Sequence, residues 1–503
     1  MTSLRRSGIS IPLFSLRSQR SWGIGEFGDV PAMAEWLNAA HQSVLQILPL
    51  NELAPGETSP YSSLSAMAID PQFISIGMLE DGAMFEEVWR DEIEAVRQAP
   101  RIDYRRVRDL KTRALRACFD RFYQTEWLLE TPDADELRSY VAREDWWIND
   151  YSLYRAIRAH EGEKPWTEWP EPLRDGHAAA LIEAGSELSR EVLFYQYVQW
   201  IADDQWQFAR RAAEGVEILG DFPFMVTCDS ADVWSRRQDF LLDAQVGTPP
   251  DAFSETGQEW GLPPYNWDEV RRNDFAWLRA RARRMTELYD GFRIDHLVGF
   301  YRTYVRPLDG RPPYFSPSAE EDQTALGEAI VRIMGETGAD ISAEDLGTVP
   351  LFVRQSIARL GVPGYKVLRW EPDNPRMYPP LSVAMTGTHD TEPLVVWWES
   401  LSINERVRFG IEMPVFSPEL RDAMLQLMFN AGSNLVLLPI QDVFGWRDRI
   451  NLPATISETN WTYTLPWPVD RMLSEPEAAE RALRLTEWSY RTGRWVPAVE
   501  VTD

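Results

Sequence analysis

Three carboxylates in this sequence stand at the ends of short apolar runs. They are Asp295 in Phe292-Arg293-Ile294-Asp295-His296, Glu344 in Ser342-Ala343-Glu344-Asp345-Leu346-Gly347, and Asp390 in Thr386-Gly387-Thr388-His389-Asp390. Cleavage of a glycosidic bond needs two carboxyl groups, one ionised to attack the anomeric carbon and one protonated to serve the leaving oxygen. Enzymes that retain configuration hold the two about 5 to 5.5 Å apart. On a strand, residues two apart share a face, so Arg293 and Asp295 point the same way while Ile294 packs outward, and the guanidinium favours an ionised aspartate. By the same rule only one of Glu344 and Asp345 reaches a common pocket. His296 and His389 are two of only five histidines, and each adjoins a candidate acid as a potential supporting group. A lone Arg-x-Asp is as readily a buried ion pair; three acids at three run ends form a stronger pattern.

Elements that bring such residues to one place are visible in the apolar runs at 9–16, 43–50, 216–226, 291–296, 339–346, 364–370, 381–390 and 434–443, several of which end in polar clusters. Helical patterns separate most of them, for example 30–40 behind Asp29 as N-cap, with Trp36 and Leu37 on one face. Alternating strand and helix implies a parallel sheet, and eight such units imply an α/β fold of the (β/α)8 TIM barrel type, with function on the loops after the strands. The interval 74–189 carries no strand pattern and reads as a largely helical insertion between strands 2 and 3, a subdomain within one catalytic body spanning 1–503. Gly23, Gly25 and Gly28 spell G-x-G-x-x-G, but polar and basic residues precede them rather than a buried strand. They read as a glycine-rich first βα loop rather than a dinucleotide site.

The bulk composition narrows the partners. Seventy-eight acidic against 51 basic side chains give a net charge of −27, which repels nucleic acid and anionic membrane surfaces but leaves a neutral ligand unaffected. Two cysteines, Cys118 and Cys228, are too few for a disulfide framework or a thiolate metal site and fit a reducing compartment. No signal peptide or bilayer-spanning run is read, so a cytoplasmic location is expected, and the Asn460-Trp461-Thr462 sequon carries no glycan. Most of the 22 tryptophans belong to packing, and a minority remain for stacking on sugar rings. Neither a metal nor another cofactor is expected near the three acids.

The segments Arg293-Ile294-Asp295-His296, Ala343-Glu344-Asp345-Leu346-Gly347 and Gly387-Thr388-His389-Asp390, in this order, resemble the active-site segments of the α-amylase clan in their amylomaltase (4-α-glucanotransferase, disproportionating enzyme) form. Leu48-Pro49-Leu50, Ser59-Pro60-Tyr61-Ser62, Gly220-Asp221-Phe222-Pro223, Pro439-Ile440-Gln441-Asp442-Val443, Arg449-Ile450-Asn451-Leu452-Pro453 and Asn460-Trp461 are similar to segments of the same family. The most specific match is Phe253-Ser254-Glu255-Thr256-Gly257-Gln258-Glu259-Trp260-Gly261, which selects amylomaltases within the clan.

The resemblance implies a retaining transferase of α-1,4-glucan segments, acting on malto-oligosaccharides and α-1,4-glucans. It makes Asp295 the nucleophile, Glu344 the general acid/base and Asp390 the carboxylate that grips sugar hydroxyls. It also implies substrate-binding roles for Tyr61 as an aromatic floor, Asp221 as an orienting group, Gln258 and Trp260 on the acceptor side, Arg293 and His389 at the reacting sugar, and His296 and Asn460. The loop 247–261 is the expected lid over the site. There are departures: Ala54-Pro55-Gly56-Glu57 stands where the family often has a tyrosine, Thr391-Glu392-Pro393 follows Gly-Thr-His-Asp where many relatives have Asn-Asp-Thr, and Arg369-Trp370-Glu371 replaces a more apolar run. A hydrolase using the same three acids and a non-catalytic glucan-binding protein are the rival readings.

Overall fold

The computed structural model describes residues 4–249, 257–407, 409, 415–453, 455 and 457–495. Eight parallel strands close into a barrel: β1 (Arg6–Ser10), β2 (Val44–Gln46), β3 (Glu217–Phe222), β6 (Gly291–Ile294), β9 (Asp340–Ala343), β10 (Gly364–Val367), β11 (Ser382–Met385) and β12 (Leu435–Pro439). Seven of them lie within an apolar run; β1 begins three residues ahead of the first run and shares only Ile9 and Ser10 with it, because Arg6, Ser7 and Gly8 are strand residues without an apolar side chain. The strands pair in chain order, and β12 returns to β1 with Arg6 opposite Leu435 and Ser10 opposite Pro439. Where a run ends in polar residues, these have left the ladder to form the loop, as in the step from Met385 to Asp390.

Alternation along the strands sorts the core into two parts. Val44, Leu219, Tyr365, Val367, Val383, Met385, Leu435 and Leu437 form one cluster that fills the barrel, while Ala384, Val436 and Leu438 join the larger core between sheet and helices. Strand approach is close at Gly8, where an added Cβ would lie 2.2 Å from the Val44 carbonyl oxygen. At the end where the strands begin, Arg6 binds Glu217 of β3 and, at 2.9 Å, Asp340 of β9. That ion cluster ties three strands at the face opposite the loops that carry Asp295, Glu344 and Asp390, the face barrels use for stability.

The residues between β2 and β3 are helical from Gly82 onward, with no strand. The helix Tyr104–Phe122 buries Val107, Leu110, Lys111, Ala114, Leu115, Cys118 and Phe122, the three-and-four spacing of an amphipathic helix, and Asp103 caps it by accepting from the Arg106 N–H. The 24-residue helix Ser189–Ala212 then feeds β3. Lys111 is an exception to the apolar stripe: 1% exposed, it pairs with Glu26 at 2.7 Å and donates to the carbonyls of Gln72 and Ile74.

Two local expectations need correction. Asp29 precedes the helix Val30–Ala39, but its carboxylate makes no cap bond to it and accepts instead from the Glu26 N–H and the Ser21 hydroxyl. The sequence also gave no sign of a four-stranded antiparallel sheet in the order β5 (Gln258–Glu259), β4 (Ala244–Thr248), β7 (Thr303–Pro307), β8 (Tyr314–Ser316). The glycine-rich segment is a packed loop after β1: Gly23 has φ +80°, and a Cβ on Gly25 would fall 1.9 Å from the Leu13 carbonyl. Among the described residues, no helix is long and apolar enough to cross a membrane.

Candidate active site

Arg293, in β6, projects into the mouth of the barrel and organises it. Its Nη1 donates to Asp221 Oδ2, at the end of β3, at 2.6 Å. Its Nη2 lies 2.9 Å from Asp295 Oδ1 and 3.4 Å from Glu344 Oε2. Both carboxylates therefore meet one nitrogen, which brings an oxygen of each to the same point at the mouth. Ile294 is fully buried on the other face of the strand. Asp345 also turns away from the mouth: it accepts from the Tyr365 N–H at 2.7 Å and approaches Arg354.

Glu344 is further held by the His296 backbone N–H, which donates to Oε2 at 2.7 Å. That oxygen already faces two N–H groups, so a proton on this carboxyl belongs on Oε1. Burial, and then the charge of Asp295, push Glu344 up to about 7 against the pull of Arg293 and the His296 amide. His296 takes a left-handed backbone, φ +43°, uncommon for a non-glycine residue, and this turns its amide to Glu344. Its ring is pushed down to about 4 by burial, so it is neutral, and it meets the Trp260 ring edge-on at 4.8 Å.

Asp390 sits in the opposite electrostatic setting. Burial acts to raise it, but His389, the Asn451 amide and Arg293 outweigh burial and hold it well below the usual carboxylate range. Asn451 Nδ2 donates to Oδ1 at 2.6 Å, and His389 Nε2 lies 3.3 Å from Oδ2. His389 is raised in turn: burial lowers it, and the charge and hydrogen bond of Asp390 prevail. Of these two carboxyls, Glu344 is suited to carry a proton near neutrality and Asp390 to accept hydrogen bonds.

An aromatic floor lies beneath. The Tyr61 hydroxyl donates to Asp221 Oδ2 at 2.7 Å and is 3.1 Å from His389 Nε2. The Tyr61 ring stacks on His389 at 5.6 Å, and Trp461 packs against both at 6.0 and 5.8 Å. Burial pushes Tyr61 well above the usual phenol range, so it keeps its proton, and burial raises Asp221 against the pull of Arg293.

The structure therefore gathers Tyr61, Asp221, Arg293, Asp295, His296, Glu344, His389 and Asp390 at one mouth. Gln258 and Trp260 arrive on the antiparallel sheet, where Gln258 Oε1 accepts from Trp260 Nε1 at 3.1 Å and Trp260 covers His296. Asn460 precedes Trp461, and its side chain is engaged by its own loop. Its amide bonds both the N–H and the carbonyl of Leu452 and the carbonyl of Thr455, which fixes the loop that carries Asn451. The expected lid is described only at its stem, where Gly247 pairs with Glu259 and Thr248 with Gln258; residues 250–256 lie outside the described part. Asn451, Arg449 and Trp461 stand in segments that the family resemblance covered, but no sequence signal gave them a role, because each acquires it by meeting a residue distant in the chain.

The 4-alpha-glucanotransferase family model matches residues 11–470. A 4-alpha-glucanotransferase of Thermus thermophilus is 32% identical over 92% of this chain and 96% of its own, and one of Chlamydia pneumoniae is 30% identical over 91% of each. Among solved structures, the amylomaltase of Streptococcus agalactiae in complex with acarbose matches with a TM-score of 0.84 at 25% identity, covering 98% of this chain and 100% of that one. With the barrel, the carboxylates at its mouth and a match across nearly the whole chain, this protein belongs to the 4-alpha-glucanotransferase family.

Proposed function

We propose that this protein transfers α-1,4-glucan segments between malto-oligosaccharides or longer glucans by double displacement, with Asp295 as nucleophile and Glu344 as acid/base. The observation that supports the reading is the shared Nη2 of Arg293, which draws an oxygen of each carboxylate to one point, as a nucleophile and acid acting on the same bond require. Glu344 Oε1 gives its proton to the glycosidic oxygen as an Asp295 oxygen attacks C1; the C1–O4 bond breaks and a glucosyl ester forms. The 4-hydroxyl of an incoming glucan then loses its proton to Glu344 and attacks C1. The ester bond breaks, Asp295 is again a carboxylate, and Glu344 is again protonated. Two inversions give net retention.

Asp390 accepts hydrogen bonds from sugar hydroxyls and favours the distorted ring of the oxocarbenium-like state. Tyr61, His389 and Trp461 form the floor, Asp221 and Arg293 fix Asp295, and Gln258 and Trp260 face the acceptor. Asn460 supports this set through the Asn451 loop. The chain acts as one catalytic body, with 74–189 as a helical subdomain inserted in the barrel.

The test is maltotriose as sole substrate, following reducing ends and chain lengths together. Transfer conserves glycosidic bonds, so glucose and maltopentaose appear while the reducing-end count stays constant. Rising reducing ends with only shorter products would identify a hydrolase, and no change in either quantity a binding protein.

A further inference from the structure

Two of the departures from the family pattern meet in space. Arg369 follows β10 and is 3% exposed in its side chain; Glu392 lies in the loop after Asp390. Arg369 Nη1 is 3.1 Å from Glu392 Oε1, Nη2 donates to the Glu392 carbonyl at 2.9 Å, and Nε donates to the Thr386 carbonyl at 3.3 Å. One guanidinium thus brackets the loop from Thr386 to Glu392, which carries His389 and Asp390, and its face lies 5.2 Å from the centre of the Trp397 ring. Gly387 leaves the necessary room, since a Cβ there would come within 2.9 Å of Arg369 Nη2.

The other carboxylate oxygen of Glu392 faces Arg449 Nη1 at 3.7 Å. Arg449 Nη2 in turn donates to the Asp390 carbonyl, and its Nε to the Asn451 carbonyl at 2.5 Å. Asn451 completes the circuit through its amide on Asp390 Oδ1. A rigid guanidinium therefore holds the main chain of both partners of the Asn451–Asp390 hydrogen bond, and Glu392 sets that guanidinium relative to one fixed on the barrel wall.

We infer that Glu392 is a positioning residue for Asp390, bridging Arg369 to Arg449 so that the Asp390 carboxylate is fixed where the distorted sugar ring meets it. The inference rests on the reading of Asp390 as the sugar-gripping carboxylate. Glu392 is 35% exposed in its side chain, and ion pairs that open to solvent add little to stability. Its effect belongs to geometry, where a displacement of about 1 Å costs on the order of 100-fold in rate.

The experiment compares Glu392→Gln, Glu392→Asp and Asp390→Asn in maltotriose transfer. Glu392→Gln keeps the shape but not the charge that serves two arginines. Its kcat falls by up to roughly 100-fold, KM moves far less, and the thermal midpoint stays with the parent. Glu392→Asp restores part of the loss. Acarbose affinity by calorimetry adds a cycle: Glu392→Gln weakens binding alone and adds nothing in an Asp390→Asn background, because it acts through Asp390. An unchanged kcat in Glu392→Gln, or a loss of acarbose affinity that adds in full to that of Asp390→Asn, overturns the inference. Full activity in Asp390→Asn would overturn the reading of Asp390 itself.

Discussion

Asp295→Asn removes a charge and almost no volume, and its sharpest effect falls on another residue. Glu344 holds its proton up to about 7 because of burial first and the Asp295 charge among the further causes. The facing oxygens of the pair are no more than about 6 Å apart, and two unit charges at that distance, in an effective dielectric of about 20, repel by roughly 3 kcal/mol, or about two pK units. Arg293 screens part of this, so in Asp295→Asn the Glu344 pKa drops by about 1 to 2 units. The assay is a pH titration by NMR of the 13C-carboxyl-labelled protein, with Glu344→Gln identifying the resonance. The sign also reaches stability: a raised carboxyl pKa stabilises the fold at acid pH, and that contribution is lost as pH rises from about 4.5 to about 7; the variant narrows this window. Transfer is abolished in the same protein. The fall in pKa reproduces what the glucosyl ester does in the working enzyme, when Asp295 becomes neutral and Glu344 must turn from acid to base. A Glu344 pKa in Asp295→Asn equal to or above the parent value would refute this coupling.

Glu344→Gln loses transfer between natural glucans but still forms the glucosyl ester from a donor whose leaving group needs no proton, as a burst of leaving group shows; equal losses on both donors would count against the acid role. Exhaustive chelation leaves maltotriose transfer intact: among the described residues no group of three or more His, Cys, Asp or Glu could hold a metal ion, and loss restored by one added metal would reverse the reading. Lys111→Met strands Glu26 as a buried charge without its partner and costs about 3 to 5 kcal/mol of unfolding free energy; a loss under about 1 kcal/mol in denaturant titration would show the ion pair to be dispensable.

Most barrel strands were legible because they lie in runs rich in buried apolar residues, and the acids after them because polar residues interrupt those runs abruptly; β1, Arg6-Ser7-Gly8-Ile9-Ser10, has one apolar side chain and was visible only at its last two residues. Ala244–Thr248 and Thr303–Pro307 lack that contrast: they mix buried and part-exposed positions and end in glycine-threonine or proline, so the sheet they build was invisible. At Asn460 a motif leaves the geometry open. The segment resembles the family, but whether an amide faces ligand or its own loop depends on Leu452 and Thr455, whose placement a linear motif does not encode. Arg369 and Glu392 were each visible as departures; that they are one feature depends on the barrel bringing the ends of β10 and β11 together.

The β1–β12 seam sets a schedule for biosynthesis. The strand opened by Arg6 finds its closing partner about 430 residues later, at Leu435. At roughly 5 to 20 residues per second a ribosome needs about 20 to 90 seconds to deliver that partner. Until then β1 has an open edge, and the sheet growing from β2 toward β11 has another, each a template for adventitious pairing. Asp295, Glu344 and Asp390 have all emerged by that point, on a sheet that has not yet been drawn into a ring. Translation arrested just before β12 therefore yields a chain that contains every acid of the mouth and has no mouth.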